Sequence, residues 1–257
     1  MLAAASELIQ HAARVVALTG AGISCPSGIP DFRSADGLYG GTASARPASL
    51  SDFRAAPERW YAQFRPLVQR LVLAEPNPAH RALAQLERDG ELAATITQNI
   101  DGLHQRAGGR AVFELHGNLR GATCLECGYQ MPAAPLLARI VRGEIPRCRC
   151  GGLLKPDVVL FDDELPRTLY WLAEREIQRC DLLLICGTSL QVAPANLLPQ
   201  LARRVGAQII VIDTAPTPCD AHASLVIRQD LAGALPAIAE LVARRQPQHQ
   251  GVSPWIE

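Results

Sequence analysis

Hydrophobic residues along this chain fall into short, nearly unbroken runs separated by longer amphipathic stretches. The runs Val15–Leu18, Ala94–Thr97, Val158–Phe161, Leu182–Cys186, Ile209–Ile212 and Leu225–Ile227 are rich in aliphatic and β-branched residues and lack polar alternation. That pattern predicts parallel strands covered on both faces. Ala4–Arg14, Pro78–Arg88, Arg167–Gln178, Pro194–Val205 and Leu231–Arg244 instead space their apolar positions for helices, with Asn77 available as an N-cap. Alternation of the two kinds predicts an α/β fold with a doubly wound, Rossmann-like parallel sheet.

Two segments break the alternation. Residues 31–76 are rich in Gly, Ala, Ser and Pro before an aromatic stretch, RWYAQF, and residues 118–155 hold a cysteine cluster with little apolar periodicity. Both read as insertions that form a smaller zinc-binding, helical domain. The Rossmann-like domain then comprises 1–30, 77–117 and 156–245, and the polar stretch 246–257 reads as a flexible tail.

The 257 residues are 48% hydrophobic and carry zero formal net charge. A chain of this length can bury a large core. Its neutrality argues against a nucleic acid or a membrane surface as partner. No apolar run reaches the roughly 18–20 residues of a membrane span. MLAAASELIQHAARVV has no basic leader and reads as an amphipathic helix, so a cytoplasmic protein is expected; a monomer or weak oligomer is the separate expectation for its assembly. Lys155 is the only lysine among 25 basic residues. GC-rich bacterial coding accounts for such a bias in general terms, and a protein acting on modified lysines would also expose few of its own.

Candidate chemistry sits at the predicted strand ends. VVALTGAG runs into Gly20-Ala21-Gly22, a turn whose N–H groups could approach a pyrophosphate. The dehydrogenase fingerprint fails, because its third glycine falls on Cys25 and no strand ending in an acidic residue follows at the required distance. Gln98, Asn99 and Asp101 follow LAATIT, where they could bond a ligand or simply form an Asx turn. His116, ending AVFELHG, has the right chemistry for a general base or is a structural histidine. Gly187-Thr188-Ser189 could hold phosphate or ribose, and Asp213 could accept from ribose hydroxyls or cap the turn after it. Among eight cysteines, Cys124, Cys127, Cys148 and Cys150 have the spacing of a structural Zn²⁺ site, whose four thiolates leave no open position for catalysis.

Together GAGIS (20–24), GIPDFRS (28–34), TQNIDGLH (97–104), ELHG (114–117), the four cysteines and GTSLQVAP (187–194) make the chain resemble the sirtuin family of NAD-dependent protein-lysine deacylases. The resemblance spans residues 15–215 and implies NAD as co-substrate, one structural zinc and acylated protein or peptide lysines as partners. It implies that Gly20, Ala21, Gly22 and Ser24 hold the pyrophosphate side, and that Asp31, Phe32 and Arg33 border the nicotinamide pocket. Gln98, Asn99, Ile100 and Asp101 would bind the nicotinamide riboside. Gly187, Thr188, Ser189, Val192, Asp213, Thr214 and Leu231 would contact the adenosine side. His116 would deprotonate a ribose hydroxyl, with Asn99 ordering a water. Val159, Leu160, Phe161, Asp162 and Val192 would meet the peptide.

Two departures bear on specificity. The family's Phe-Gly-Glu is here Phe161-Asp162-Asp163, so an added carboxylate is expected to favour basic residues flanking the target lysine. Members that prefer succinyl or malonyl groups carry a Tyr-x-x-Arg pair, whereas Tyr61 and Arg65 here are four apart, and acetyl or other uncharged groups are expected. Desuccinylase or demalonylase, mono-ADP-ribosyltransferase and NAD hydrolase activities remain alternatives on the same fold. A non-catalytic NAD-sensing module would not need His116.

Overall fold

The computed structural model describes residues 1–31, 37 and 49–245; Phe32, Arg33 and the 246–257 tail lie outside the described residues. The described strands are β1 (Val15–Thr19), β2 (Ala94–Thr97), β3 (Val112–Glu114), β4 (Gly117–Cys124), β5 (Gln130–Pro132), β6 (Leu154–Val158), β7 (Leu182–Cys186), β8 (Gln208–Ile212) and β9 (Leu225–Ile227). The helices are α1 (Leu2–His11), α2 (Leu50–Ala55), α3 (Pro57–Leu73), α4 (Pro78–Arg88), α5 (Leu103–Arg106), α6 (Ala133–Val141), α7 (Arg167–Arg179), α8 (Leu198–Arg204) and α9 (Leu231–Arg245).

Six strands form one parallel sheet in the order β3-β2-β1-β7-β8-β9. Period-2 geometry sends successive side chains to opposite faces. Val15, Ala17, Leu182, Leu184, Ile210 and Ile212 therefore pack with α1, α4 and α9. Val16, Leu18, Leu183, Ile185, Ile209 and Val211 pack with α7 and α8 on the other face. Because both faces are covered, the strands read as continuous apolar runs. Cys186 is fully buried among them. From β1 the chain builds outward to β2 and β3 on one side, and β7, β8 and β9 extend the other side. Strand order thus reverses between β1 and β7, where sheets of this kind open a ligand crevice at the strands' carboxyl ends.

A second sheet has the order β5-β4-β6 and is antiparallel. Together with α2, α3 and α6 it encloses a separate core containing Phe53, Trp60, Tyr61, Leu136, Ile140 and Leu154. The strand expected over Val158–Phe161 is corrected here: the strand is Leu154–Val158, and it belongs to this small sheet. Its burial alternates, with Leu154, Pro156 and Val158 inward, as a strand with one wet face requires. Residues 118–155 also hold more order than their weak periodicity indicated, since α6 buries Leu136 and Ile140 in the core it shares with α3.

Two helix ends also differ from expectation. The first helix stops at His11 rather than Arg14. Asp181 draws the next residues out of it, because its carboxylate accepts from Ala13 N–H at 2.7 Å and Arg14 N–H at 2.8 Å. The segment from Pro194 starts as a 3₁₀ turn over Ala195–Leu197 before α8.

Candidate active site

The turn after β1 and the turn after β7 lie directly against each other. Gly22 N–H donates to the Gly187 carbonyl at 2.9 Å, and Gly20 N–H to the Cys186 carbonyl at 3.2 Å. A Cβ on Gly22 would lie 2.8 Å from the Gly187 Cα, and one on Gly187 would lie 2.5 Å from the Ile23 nitrogen. Gly187 also has φ +62°, a region that favours glycine. These glycines therefore let two backbones meet at the reversal in strand order, in addition to any room they leave for a phosphate. After Gly20 the chain enters a 3₁₀ helix, Ala21–Ser27, instead of an α-helix.

Side chains from β2's carboxyl end knit into that turn. Asn99 Nδ2 donates to the Gly20 carbonyl at 3.0 Å and to Ser24 Oγ at 3.1 Å. Ser24 Oγ donates to Asp101 Oδ2 at 2.7 Å. Asp101 Oδ1 accepts from Leu103 N–H at 2.9 Å, so Asp101 does form the Asx turn that starts α5. Burial pushes the Asp101 carboxyl upward, against the pull of the Leu103 and Ser24 hydrogen bonds. Gln98 Nε2 reaches across to Thr188 Oγ1 at 2.8 Å, joining the ends of β2 and β7.

His116 follows β3. Its Nδ1 lies 3.0 Å from the Gln98 carbonyl. A carbonyl only accepts, so the proton sits on Nδ1 and the Nε2 lone pair is left for chemistry. Burial lowers the His116 pKa, which the Gln98 hydrogen bond partly offsets, and the ring is neutral at neutral pH. Glu114, almost wholly buried, forms a two-point ion pair with Arg120, bracketing the turn that carries His116. The His116 carbonyl accepts from Val159 N–H at 2.8 Å, tying the histidine to the segment after β6.

On the far side, Asp213 Oδ1 accepts from Ala215 N–H at 2.9 Å, so it caps the turn after β8 as its sequence context allowed. Leu231, at the start of α9, packs on Gly187. Ser189 and Thr214 are exposed, while Val192 and Asp31 are half-buried. Ile100 packs against the small core.

Sequence reasoning missed a buried pair of histidines below this cluster. His80 Nε2 lies 3.5 Å from Ser24 Oγ, and His104 Nε2 lies 2.9 Å from Thr19 Oγ1. Their rings meet edge to face at 4.9 Å. Burial lowers His80 to about 4 and His104 to about 3. Asn77, expected as a cap, does accept from Ala79 N–H and also donates to the Ile23 carbonyl at 2.8 Å, fixing α4 to the glycine turn. The usable signal was His104, which ends the TQNIDGLH motif; His80, in the first turn of α4, stands beside no such motif, and nothing in spacing alone marks a histidine as buried.

The family model described as the Sir2 family matches residues 20–194. The chain belongs to the Sir2 family. It is 44% identical to an NAD-dependent protein deacetylase of Sulfolobus acidocaldarius, covering 95% of each chain. It is 42% identical to an NAD-dependent protein deacylase 2 of Archaeoglobus fulgidus over 93% of this chain and 95% of that one. Among solved structures, a Sir2 variant with a deacetylated p53 peptide and 3′-O-acetyl ADP-ribose has TM-score 0.87 and 35% identity, covering 91% of this chain and 96% of that one.

The Cys124, Cys127, Cys148 and Cys150 sulfurs of this Sir2 chain all lie within 4.8 Å of one another. Cys124–Cys150 and Cys127–Cys148 are 3.6 and 3.8 Å apart. Tetrahedral thiolates at about 2.3 Å from a zinc ion would stand about 3.8 Å apart, so the donor set fits that ion. Gly128 and Gly151, at φ +71° and +90°, turn the chain after each cysteine pair.

Proposed function

We propose that this Sir2 chain is an NAD-dependent protein-lysine deacylase that transfers the acyl group from lysine to ADP-ribose. The observation that carries the reading is His116, whose Nε2 is held proton-free beside the Asn99–Ser24–Asp101 knot. NAD would supply a glycosidic bond whose cleavage releases nicotinamide, and with one water consumed the acyl group passes to the ADP-ribose, leaving free lysine and O-acyl-ADP-ribose. Gly20, Ala21, Gly22 and Ser24 take the pyrophosphate side, with Gly187, Thr188, Ser189, Val192, Asp213, Thr214 and Leu231 toward adenosine. Asp31, Gln98, Asn99, Ile100 and Asp101 take the nicotinamide riboside end, and Asn99 orients a water. His116 Nε2 accepts a ribose hydroxyl proton. Val159, Leu160, Phe161 and Asp162 receive the peptide by strand addition.

One structural zinc on the four cysteines staples the small sheet. We assign the nucleotide-binding unit to 1–30, 77–117 and 156–245, and the small unit to 31–76 with 118–155. Among the described residues no helix is long and apolar enough to cross a membrane. A cytoplasmic enzyme, monomeric or weakly associated and without a nucleic-acid partner, completes the reading.

Acetyl and other uncharged acyl groups suit this chain best. Tyr61 is buried, donates to the Leu154 carbonyl and packs edge-on against Phe53 and Trp60. Arg65 Nε is spent on the Ile140 carbonyl at 3.1 Å. The Tyr61 hydroxyl is thus committed to the small core, and Arg65, which keeps its Nη donors, is turned toward α6 and Gly143.

The test is an acetyl-lysine peptide with NAD, followed for O-acetyl-ADP-ribose. The expected loss on His116→Ala is about 10²–10⁴-fold, the worth of a positioned base. NAD consumption that ignores the peptide would favour a hydrolase instead, and intact turnover in the variant would remove His116 from the mechanism.

A further inference from the structure

The single lysine of this chain is not on an open surface. Lys155 lies on β6 opposite Thr123 of β4. Its Nζ donates to the Val158 carbonyl at 2.7 Å and to the Pro156 carbonyl at 3.4 Å. The same nitrogen pairs with Asp163 Oδ2 at 3.0 Å, and the two side chains are only 12% and 19% exposed.

Val158 and Asp163 flank the segment Val159–Asp162, which the proposed function gives to the peptide. One ammonium therefore joins both ends of that segment. Within it, Val159 N–H is fixed to the His116 carbonyl at 2.8 Å, Asp163 N–H to the Leu160 carbonyl at 3.1 Å and Leu50 N–H to the Phe161 carbonyl at 2.9 Å. An ammonium is a compact point charge whose three protons can converge on acceptors lying in different directions. A guanidinium spreads its donors in a flat fork and cannot serve this arrangement equally well. That geometry gives a reason for lysine here, in a chain whose other basic residues are all arginine.

We propose that Lys155, paired with Asp163, is a positioning residue that holds the Val159–Asp162 segment in its peptide-receiving shape and so sets affinity for the acyl-peptide rather than for NAD. The proposal rests on the deacylase reading of that segment. Strand addition needs a preformed edge, and an unclasped segment must be ordered at the moment of binding, which lowers affinity.

Steady-state kinetics on Lys155→Met, Lys155→Arg and Asp163→Asn, varying acetyl-lysine peptide and NAD separately, test it. Lys155→Met and Asp163→Asn are each expected to raise the peptide KM by about tenfold while leaving the NAD KM within about twofold. Lys155→Arg is expected to fall between Lys155→Met and wild type. The double variant should be no worse than Lys155→Met, because that change already removes the pair with Asp163. An unchanged peptide KM in Lys155→Met, or equal rises in both KM values, overturns the clasp. If Lys155→Met does not fold, Asp163→Asn alone decides by the same criteria. A wild-type protein that makes no O-acetyl-ADP-ribose and shows no binding of the labelled peptide would overturn the deacylase reading itself, and the clasp with it.

Discussion

Ser24 Oγ donates to Asp101 Oδ2 at 2.7 Å, so the turn after β1 holds the carboxylate that follows β2. Ser24 has one proton and spends it there. Asn99 Nδ2 and His80 Nε2 must therefore both donate to Ser24 Oγ. His80 then carries its proton on Nε2, which leaves Nδ1 to accept from Asn77 N–H at 3.4 Å. Hydrogen-bond direction is thus fixed from α4 through Ser24 to the carboxylate.

Ser24→Ala should show what that donor does to Asp101. Burial raises the Asp101 pKa and the Leu103 and Ser24 hydrogen bonds lower it. Losing the serine removes one of the groups that favour the charged carboxylate and raises it further. If ionised Asp101 binds the nicotinamide end, the acid limb of kcat/KM for NAD moves to higher pH. A limb that stays in place would separate Asp101 from that titration.

The sheet and the strand-end residues were legible in the sequence because buried parallel strands leave continuous apolar runs with polar turns after them. β1, β2, β7, β8 and β9 fall on such runs. The small sheet was not legible. Its strands alternate, include Pro132 and Pro156, and are held by cysteines and by the Phe53–Trp60–Tyr61 cluster rather than by periodicity. The Cys₄ spacing announced the cysteine cluster but not the strands around it. The histidine pair escaped for a different reason: burial is a property of the assembled fold, and His80 becomes buried only when α4 packs beside the glycine turn.

That pair makes stability depend on acid. His80 and His104 are kept neutral by burial, with folded values of about 4 and about 3. An unfolded histidine titrates near 6.5. Below that pH the unfolded chain binds protons that the folded chain refuses. Stability is therefore complete above about pH 6.5 and falls as pH drops toward 4 and then 3. His80 alone accounts for about 3 kcal/mol across its window, as an order of magnitude. Thermal melts of wild type and His104→Gln between pH 4 and 7 check this, and the variant should have the flatter acid limb. Equal slopes would mean that other groups control acid unfolding.

Zinc removal should act on one sheet only. Cys124 belongs to the core that includes Leu136, Ile140 and Leu154, and the other three cysteines lie on the loops that close β4 and β6. A strong chelator, or Cys127→Ser, is expected to lower Tm and release one zinc per chain. Hydrogen exchange should rise in β4, β5, β6 and α6 while β1, β7 and β8 stay protected. Exchange rising equally in both sheets would argue that they unfold as one unit.

Asp162→Gly joins two opposing effects at the residue where the chain departs from the family pattern. Asp162 sits at φ +59°, a conformation that costs a non-glycine residue about 1 kcal/mol. Its carboxylate accepts from Leu50 N–H at 2.7 Å and Ser51 N–H at 3.3 Å, capping α2; the Ser51 hydroxyl first, and then these N–H groups, hold its pKa down. A lost cap costs about 1 kcal/mol. Glycine relieves the strain and forfeits the cap, so Tm should change by no more than a few degrees. The carboxylate, expected to attract basic residues beside the target lysine, is instead turned into the α2 N-terminus. Peptides with Arg or Glu flanking the acetyl-lysine should therefore be discriminated to the same degree by Asp162→Gly and wild type, while the variant's KM rises for both peptides as the segment keeps only the Phe161 carbonyl's bond from Leu50 N–H as its tie to α2. A selective loss of the Arg-flanked peptide would show that Asp162 faces the substrate after all.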